Sequence, residues 1–208
     1  SECAGDTMLY TILRIIFAIF FQILFRAKTY GKEHLPAEGP VILAANHMSN
    51  WDPPLLATFL PRPVSYMAKI ELFEHPVFGA AIRRCHAFPV KRGAADRGAI
   101  KAAINVLKQG RVLGLFPEGT RSKDGKLHKA EAGVGLLAAM SGAPVVPACI
   151  VGTDRIMQHG GFLPKLRIMY GEPMHFTGDK RDKEQLAAFS QEIMAHIAAM
   201  REEIEKIS

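Results

Sequence analysis

An α/β domain built on a mainly parallel sheet flanked by helices, with one long apolar helix ahead of it, is the fold this 208-residue sequence predicts. Two observations predict the domain: short apolar runs alternate with stretches of helical period, as they do in βαβ units. Several of those runs also end in polar turns rich in glycine and proline, which is where ligands bind in open α/β sheets. A third observation, the unbroken apolar stretch from Met8 to Phe25, predicts the leading helix. The length suits one domain with a sizeable core.

The chain divides into three parts. Residues 1–7 stand apart, because Ser1 to Asp6 are unlike a natural start, and are read as foreign or disordered sequence. Residues 8–30 hold the apolar helix, whose run is close to the ~20 residues that cross a bilayer core. Arg14, Ala18, Gln22 and Arg26 recur every four residues, forming one thin seam beside a wide apolar face. Such a helix lies in a membrane interface or crosses it with Arg14 snorkelling. A buried helix and a signal peptide are the alternatives; the second is disfavoured, since no basic residues precede the run and no small-residue cleavage site follows. Arg26, Lys28 and Lys32 come after it, which, if the helix spans, puts the rest of the chain in the cytoplasm; the cytoplasmic face of the cell membrane is the expected place for either arrangement.

Residues 31–208 form the catalytic domain. Strands are expected at Pro40 to Ala45, Val64 to Ala68, His86 to Val90, Val112 to Phe116, Pro144 to Val151 and Leu166 to Tyr170. Helices are expected at Pro53 to Leu60, His75 to Cys85, Asp96 to Lys108 and Ala130 to Met140, with Gly110 and Gly142 closing the last two. Leu186, Phe189, Ile193, Ile197, Met200, Ile204 and Ile207 step by three and four, marking a C-terminal helix packed on the domain. Pro147 interrupts its apolar strand and predicts a sheet edge or a bulge.

The formal net charge of +6 and a pI near 9.3 call for an anionic partner. The basic residues are scattered and carry no nucleic-acid-binding fingerprint, which favours phosphate or an anionic membrane over nucleic acid. Cys3, Cys85 and Cys149 are too dispersed for a disulfide framework or a zinc site, so a reducing compartment and no metal are expected.

The chemistry concentrates in Asn46-His47-Met48-Ser49-Asn50-Trp51-Asp52-Pro53-Pro54, directly after the first apolar run. His47 and Asp52 can form two thirds of a hydrolase triad once a turn brings them together, an imidazole to take a proton and a carboxylate to orient it. Asp52 is expected to cap the helix that starts at Pro53. No G-x-S-x-G nucleophile accompanies the pair, so the hydroxyl it activates belongs to a substrate. A second turn, Pro117-Glu118-Gly119-Thr120-Arg121-Ser122, follows the strand ending at Phe116. There Gly119 admits a ligand to the backbone, Thr120 offers a hydroxyl and Arg121 a planar fork that matches phosphate. Glu118 either holds Arg121 or binds a ligand hydroxyl. A third turn, Phe88-Pro89-Val90-Lys91-Arg92-Gly93, supplies further cations, and Lys69 ends another strand.

In this order, Asn46-His47-x4-Asp52, Phe88 to Arg92, Phe116 to Arg121 and Val146-Pro147 resemble the four motif blocks of the glycerolipid acyltransferases. The nearest match is the bacterial type of 1-acylglycerol-3-phosphate (lysophosphatidic acid) acyltransferase, over roughly Pro40 to Gly152. In the second block the family commonly has an acidic residue before the arginine, where this chain has Lys91 before Arg92. The resemblance implies transfer of a fatty acyl group from acyl-CoA or acyl carrier protein to the sn-2 hydroxyl of lysophosphatidic acid at a phospholipid surface, with no cofactor. It implies His47 as general base and Asp52 as its orienter. Glu118, Gly119, Thr120 and Arg121 would bind the glycerol phosphate with help from Arg92, and Asn46, Lys69 and Lys91 are further candidate contacts. Lyso-ornithine lipid or glycerol 3-phosphate as acceptor, and a non-catalytic basic membrane-binding protein, are the competing readings.

Overall fold

The computed structural model describes residues 4–74, 76–90, 97–156 and 163–207. Its order is α1 (Ala4–Phe25), β1 (Lys28–Tyr30), β2 (Val41–Ala45), α2 (Asp52–Thr58), β3 (Val64–Lys69), α3 (Pro76–Arg84) and β4 (Phe88–Val90). There follow α4 (Arg97–Lys108), β5 (Val112–Leu115), α5 (Gly133–Ser141), β6 (Val145–Val151), β7 (Arg167–Tyr170) and α6 (Lys183–Ile207).

The strands form one seven-stranded sheet in the order β1-β7-β6-β2-β5-β3-β4. Strands β2 to β6 run parallel, and the β1–β7 pair runs against them through the antiparallel β6–β7 ladder. β2 is buried at every position because both faces are covered, which is why it reads as an unbroken apolar run. Val41, Leu43 and Ala45 face α1 and α2 with Leu55 and Leu56, whereas Ile42 and Ala44 face α4, α5 and α6 with Leu107, Leu137 and Ile197. The chain leaves β2 for β3 on one side and returns later to β6 on the other, so a topological switch point sits at the C-terminal end of β2.

α1 carries two different apolar faces. Phe21 and Phe25 are buried in the core, and Phe17 and Phe20 pack against it. Arg14, in the predicted polar seam, donates to the Leu60 carbonyl at 2.8 Å and so faces the domain. On the other side Met8, Ile12, Ile15, Ile16, Ile19, Ile23 and Leu24 are between 41% and 72% exposed. Residues 8–25 are long and apolar enough to cross a membrane.

Several boundaries differ from expectation. The first helix extends back to Ala4, and within the expected 8–30 anchoring segment Lys28–Tyr30 is already a sheet strand, too short to show a period. α5 starts at Gly133 rather than Ala130, and Ile207, at the end of α6, is half exposed rather than core. Pro147 lies in an interior strand, not at an edge. Its ring is accommodated beside a register slip. Val145 bridges Met174 while Ala148 pairs with Tyr170, so three steps on β6 face four on the opposing chain, and the Pro147 carbonyl takes the Gly171 N–H at 2.8 Å.

Candidate active site

Adjacent strands β6, β2 and β5 are parallel, so the loops that follow them converge at one edge of the sheet. The loop after β2 carries His47 and Asp52. His47 Nδ1 lies 2.9 Å from Asp52 Oδ2, and the same oxygen accepts the backbone N–H groups of Met48 at 2.6 Å and Ser49 at 2.7 Å. Asp52 is fully buried and Thr153 Oγ1 donates to its other oxygen at 2.5 Å. A buried carboxylate already held by three other donors is an acceptor toward the imidazole, so Nδ1 carries the proton and Nε2 presents its lone pair.

Asp52 does not cap α2, of which it is the first residue. The reason is that Pro53 and Pro54 have no N–H to offer, and the Leu55 N–H goes to the Trp51 carbonyl at 3.1 Å. Its carboxylate turns back to the 47–49 loop instead. Phe116 fixes the imidazole from another side, stacked on it with centroids 3.9 Å apart and planes at 16°. Tyr66 stacks behind Phe116 at 6.2 Å; its hydroxyl has no hydrogen-bond partner among the described residues, and burial, followed by neighbouring Tyr170, Tyr10 and Asp52, pushes it well above the ordinary phenol range. The side chain of His47 remains 17% exposed. Among the described residues no hydroxyl is hydrogen-bonded to it; the Ser122 hydroxyl donates to Asp124 and that of Thr153 to Asp52.

Asn46 is buried behind His47 and both of its polar groups are used: Nδ2 donates to the Ile150 carbonyl at 2.9 Å and Oδ1 accepts the Ile150 N–H at 2.7 Å. It extends the β2–β6 pairing past the backbone ladder and is buried at 0% exposure, so its first role is structural. Glu118 is also buried. Its Oε1 accepts the His47 N–H at 3.0 Å and its Oε2 the His128 N–H at 2.9 Å. The expected partnership with Arg121 is absent, because backbone donors occupy both oxygens.

The second turn reaches the surface beside this pair. Gly119 takes φ 70°, which a side chain would resist and which the nearby Glu131 carboxylate would also crowd. Gly119, Thr120 and Arg121 are exposed, and the next residue, Ser122, donates its N–H to the His47 carbonyl at 2.8 Å. The loop beyond is braced by Asp124, held down to about 2 by the Lys126 N–H and the Ser122 hydroxyl, with a smaller share from His128. Arg201 of α6 ties the loop tip through the Gly125 carbonyl at 2.9 Å. Lys69 ends β3 at the same sheet edge, although its side chain is not among those described. Lys91 and Arg92 lie outside the described residues.

Two residues of the site carry no role in the sequence reading. Phe116 enters it as a strand end and the first residue of a motif block, and Thr153 lies just past the apolar run that ends at Val151; a hydroxyl or an aromatic at the end of a neighbouring parallel strand is the available signal. Among the described residues no group of three or more His, Cys, Asp or Glu side chains is arranged to hold a metal ion. A groove lined by His175, Phe176 and His196 lies by the N-terminal end of β6, across the sheet from His47.

A His/Asp pair with no nucleophile hydroxyl bonded to it among the described residues, at the switch point of such a sheet, can take a proton from a hydroxyl that a substrate brings. Residues 26–151 match the family model described as Acyltransferase. The 1-acyl-sn-glycerol-3-phosphate acyltransferase of Bacillus subtilis is 34% identical over 187 residues, covering 86% of this chain and 90% of that one. That of Streptococcus pneumoniae is 32% identical, covering 87% and 68%. The crystal structure of the 1-acyl-sn-glycerophosphate (LPA) acyltransferase from Thermotoga maritima superimposes with a TM-score of 0.79 at 28% identity, over 96% of this chain and 81% of that one. The chain belongs to the acyltransferase family and, within it, to the 1-acyl-sn-glycerol-3-phosphate acyltransferases, and it is an enzyme.

Proposed function

We propose that this enzyme moves a fatty acyl group from a thioester of coenzyme A or acyl carrier protein to the sn-2 hydroxyl of 1-acylglycerol 3-phosphate, giving phosphatidic acid. The observation that carries the reading is the His47–Asp52 pair, whose Nε2 is left as a base with no hydroxyl of the described residues to serve. His47 Nε2 takes the proton as the acceptor oxygen attacks the thioester carbonyl, and Asp52 stabilises the imidazolium. Collapse of the tetrahedral intermediate expels the thiolate, which recovers the proton from His47. A positioned base of this kind contributes about 10²–10⁴-fold. Arg121, with Gly119 and Thr120, holds the acceptor phosphate at the rim, where the exposed guanidinium and the open backbone face solvent. Arg92, which follows β4 in the sequence, assists.

The exposed ridge of α1 holds the site at the cytoplasmic membrane surface. Its inner face is locked onto the domain by Phe21, Phe25 and Arg14, so the helix lies in the interface with its isoleucines in the acyl region. The function is tested by giving the enzyme palmitoyl-CoA or palmitoyl-acyl carrier protein with lysophosphatidic acid, monoacylglycerol or glycerol 3-phosphate, and identifying the products by mass spectrometry. Phosphatidic acid from lysophosphatidic acid alone is expected. Preferential acylation of monoacylglycerol removes the phosphate site, and preferential acylation of glycerol 3-phosphate reassigns the acceptor.

A further inference from the structure

Thr153 stands outside the four motif blocks, yet among the described residues it makes the only side-chain hydrogen bond from the turn after β6 to the reacting pair. It is 1% exposed, and its hydroxyl donates to Asp52 Oδ1 across 101 residues of chain. The approach is built. Gly152 takes φ 100°, and a Cβ there would stand 2.5 Å from the Lys165 carbonyl, so only glycine turns the chain this tightly after Val151. A 3-10 turn, Thr153–Arg155, follows and fixes the backbone of the threonine. Asn46, bonded on both sides to Ile150, holds the β2 and β6 ends in register, so the loop bearing Asp52 and the turn bearing Thr153 are placed by the same clamp.

A carboxylate orients an imidazole only if its own rotation is stopped. The Met48 and Ser49 amides act on Oδ2, the oxygen already facing His47. Nothing but Thr153 restrains Oδ1 among the described residues. We infer that Thr153 is a positioning residue of the acyl transfer, fixing the plane of the Asp52 carboxylate so that Oδ2 stays on His47 Nδ1. This rests on the His47/Asp52 reading given above. The role needs the hydroxyl as donor, so serine fills it and valine, of nearly the same shape, does not.

The experiment compares wild type with Thr153→Val, Thr153→Ala and Thr153→Ser in detergent, using palmitoyl-CoA and lysophosphatidic acid. Thr153→Val and Thr153→Ala are expected to lose about 10- to 100-fold in kcat, the loss typical of one buried hydrogen bond to a charged group. Both KM values stay within about twofold, and Thr153→Ser recovers most of the rate. In an Asp52→Asn background Thr153→Val adds no further loss, because the carboxylate it orients is gone. A second readout needs no turnover: in ¹⁵N-histidine-labelled protein the Nδ1–H resonance of His47, assigned with His47→Ala, moves in Thr153→Val and Thr153→Ala and returns in Thr153→Ser. Full kcat in well-folded Thr153→Val or Thr153→Ala, losses that multiply in the Asp52→Asn background, or an unmoved resonance would each overturn the inference. An unmoved rate in His47→Ala would instead strike the underlying reading, and the resonance would still decide the role of Thr153.

Discussion

The backbone N–H of His47 and the backbone N–H of His128 are bridged by the two oxygens of one buried carboxylate, that of Glu118, at 3.0 and 2.9 Å. Glu118 thereby fastens the loop after β2 to the loop after β5, and the imidazole inherits its position from a residue far along the chain. Glu118→Gln keeps the size but turns an NH₂ toward one of the two backbone donors. We expect it to lower stability by about 1–3 kcal/mol and kcat by more than about tenfold, with the acceptor KM within about twofold. Melting and steady-state kinetics check this; a raised KM at unchanged kcat would place Glu118 against the ligand instead.

Arg121 is expected to act on binding. Removing its guanidinium in Arg121→Ala should cost about 10- to 100-fold in kcat/KM for lysophosphatidic acid, and Arg121→Lys should recover only part because the planar fork is lost. Activity toward monoacylglycerol, low to begin with, should not change. Equal losses on both acceptors would mean that Arg121 does not read the phosphate.

The two faces of α1 predict opposite outcomes. Ile16 and Ile19 are 56% and 52% exposed, so Ile16→Glu with Ile19→Glu should leave the melting temperature nearly unchanged. Liposome binding should fall by more than about 100-fold, since two isoleucine side chains no longer enter the acyl region. Phe21→Ala on the buried face should cost about 3–5 kcal/mol of stability. Flotation and thermal melting separate the two, and unchanged flotation of the double variant would move the membrane contact elsewhere.

The loop beyond Arg121 has its own pH signature. The Asp124 carboxyl is held down to about 2 against an ordinary 3.8, so its stabilisation is present above 3.8 and is lost as the pH falls toward 2. The melting-temperature gap between wild type and Asp124→Asn should therefore be constant from neutral pH down to about 5 and close as the pH reaches about 2. A gap that widens with acid would contradict this bracing.

The sheet and the meeting of the two turns were legible because buried parallel strands read as plain apolar runs and their C-terminal ends fall at one edge. Gly142 closes α5 at φ 69°, as the sequence led one to expect. Other features turn on contacts that no local pattern encodes. β1 is three residues long, Lys28–Tyr30, and owes its existence to pairing with β7. The seam of Arg14 to Arg26 read as polar, whereas the informative division of α1 is between inward phenylalanines and outward isoleucines. Asp52 looked like a helix cap until the two prolines after it are counted as missing donors. Pro147 marked a bulge, which the register slip supplies, but in an interior strand. Asn46 and Glu118 are candidate ligand contacts through the family resemblance; no local pattern shows that in the fold they also bond backbone groups of Ile150, His47 and His128.

The central claim is that His47 activates a substrate hydroxyl and that no acyl-enzyme forms. It is tested most directly by measuring thiol release from palmitoyl-CoA in detergent, with and without lysophosphatidic acid, for wild type and His47→Ala. Release that requires the acceptor and falls by at least about 10²-fold in His47→Ala is the predicted result. A burst of thiol without acceptor, or release that survives in His47→Ala, would contradict it.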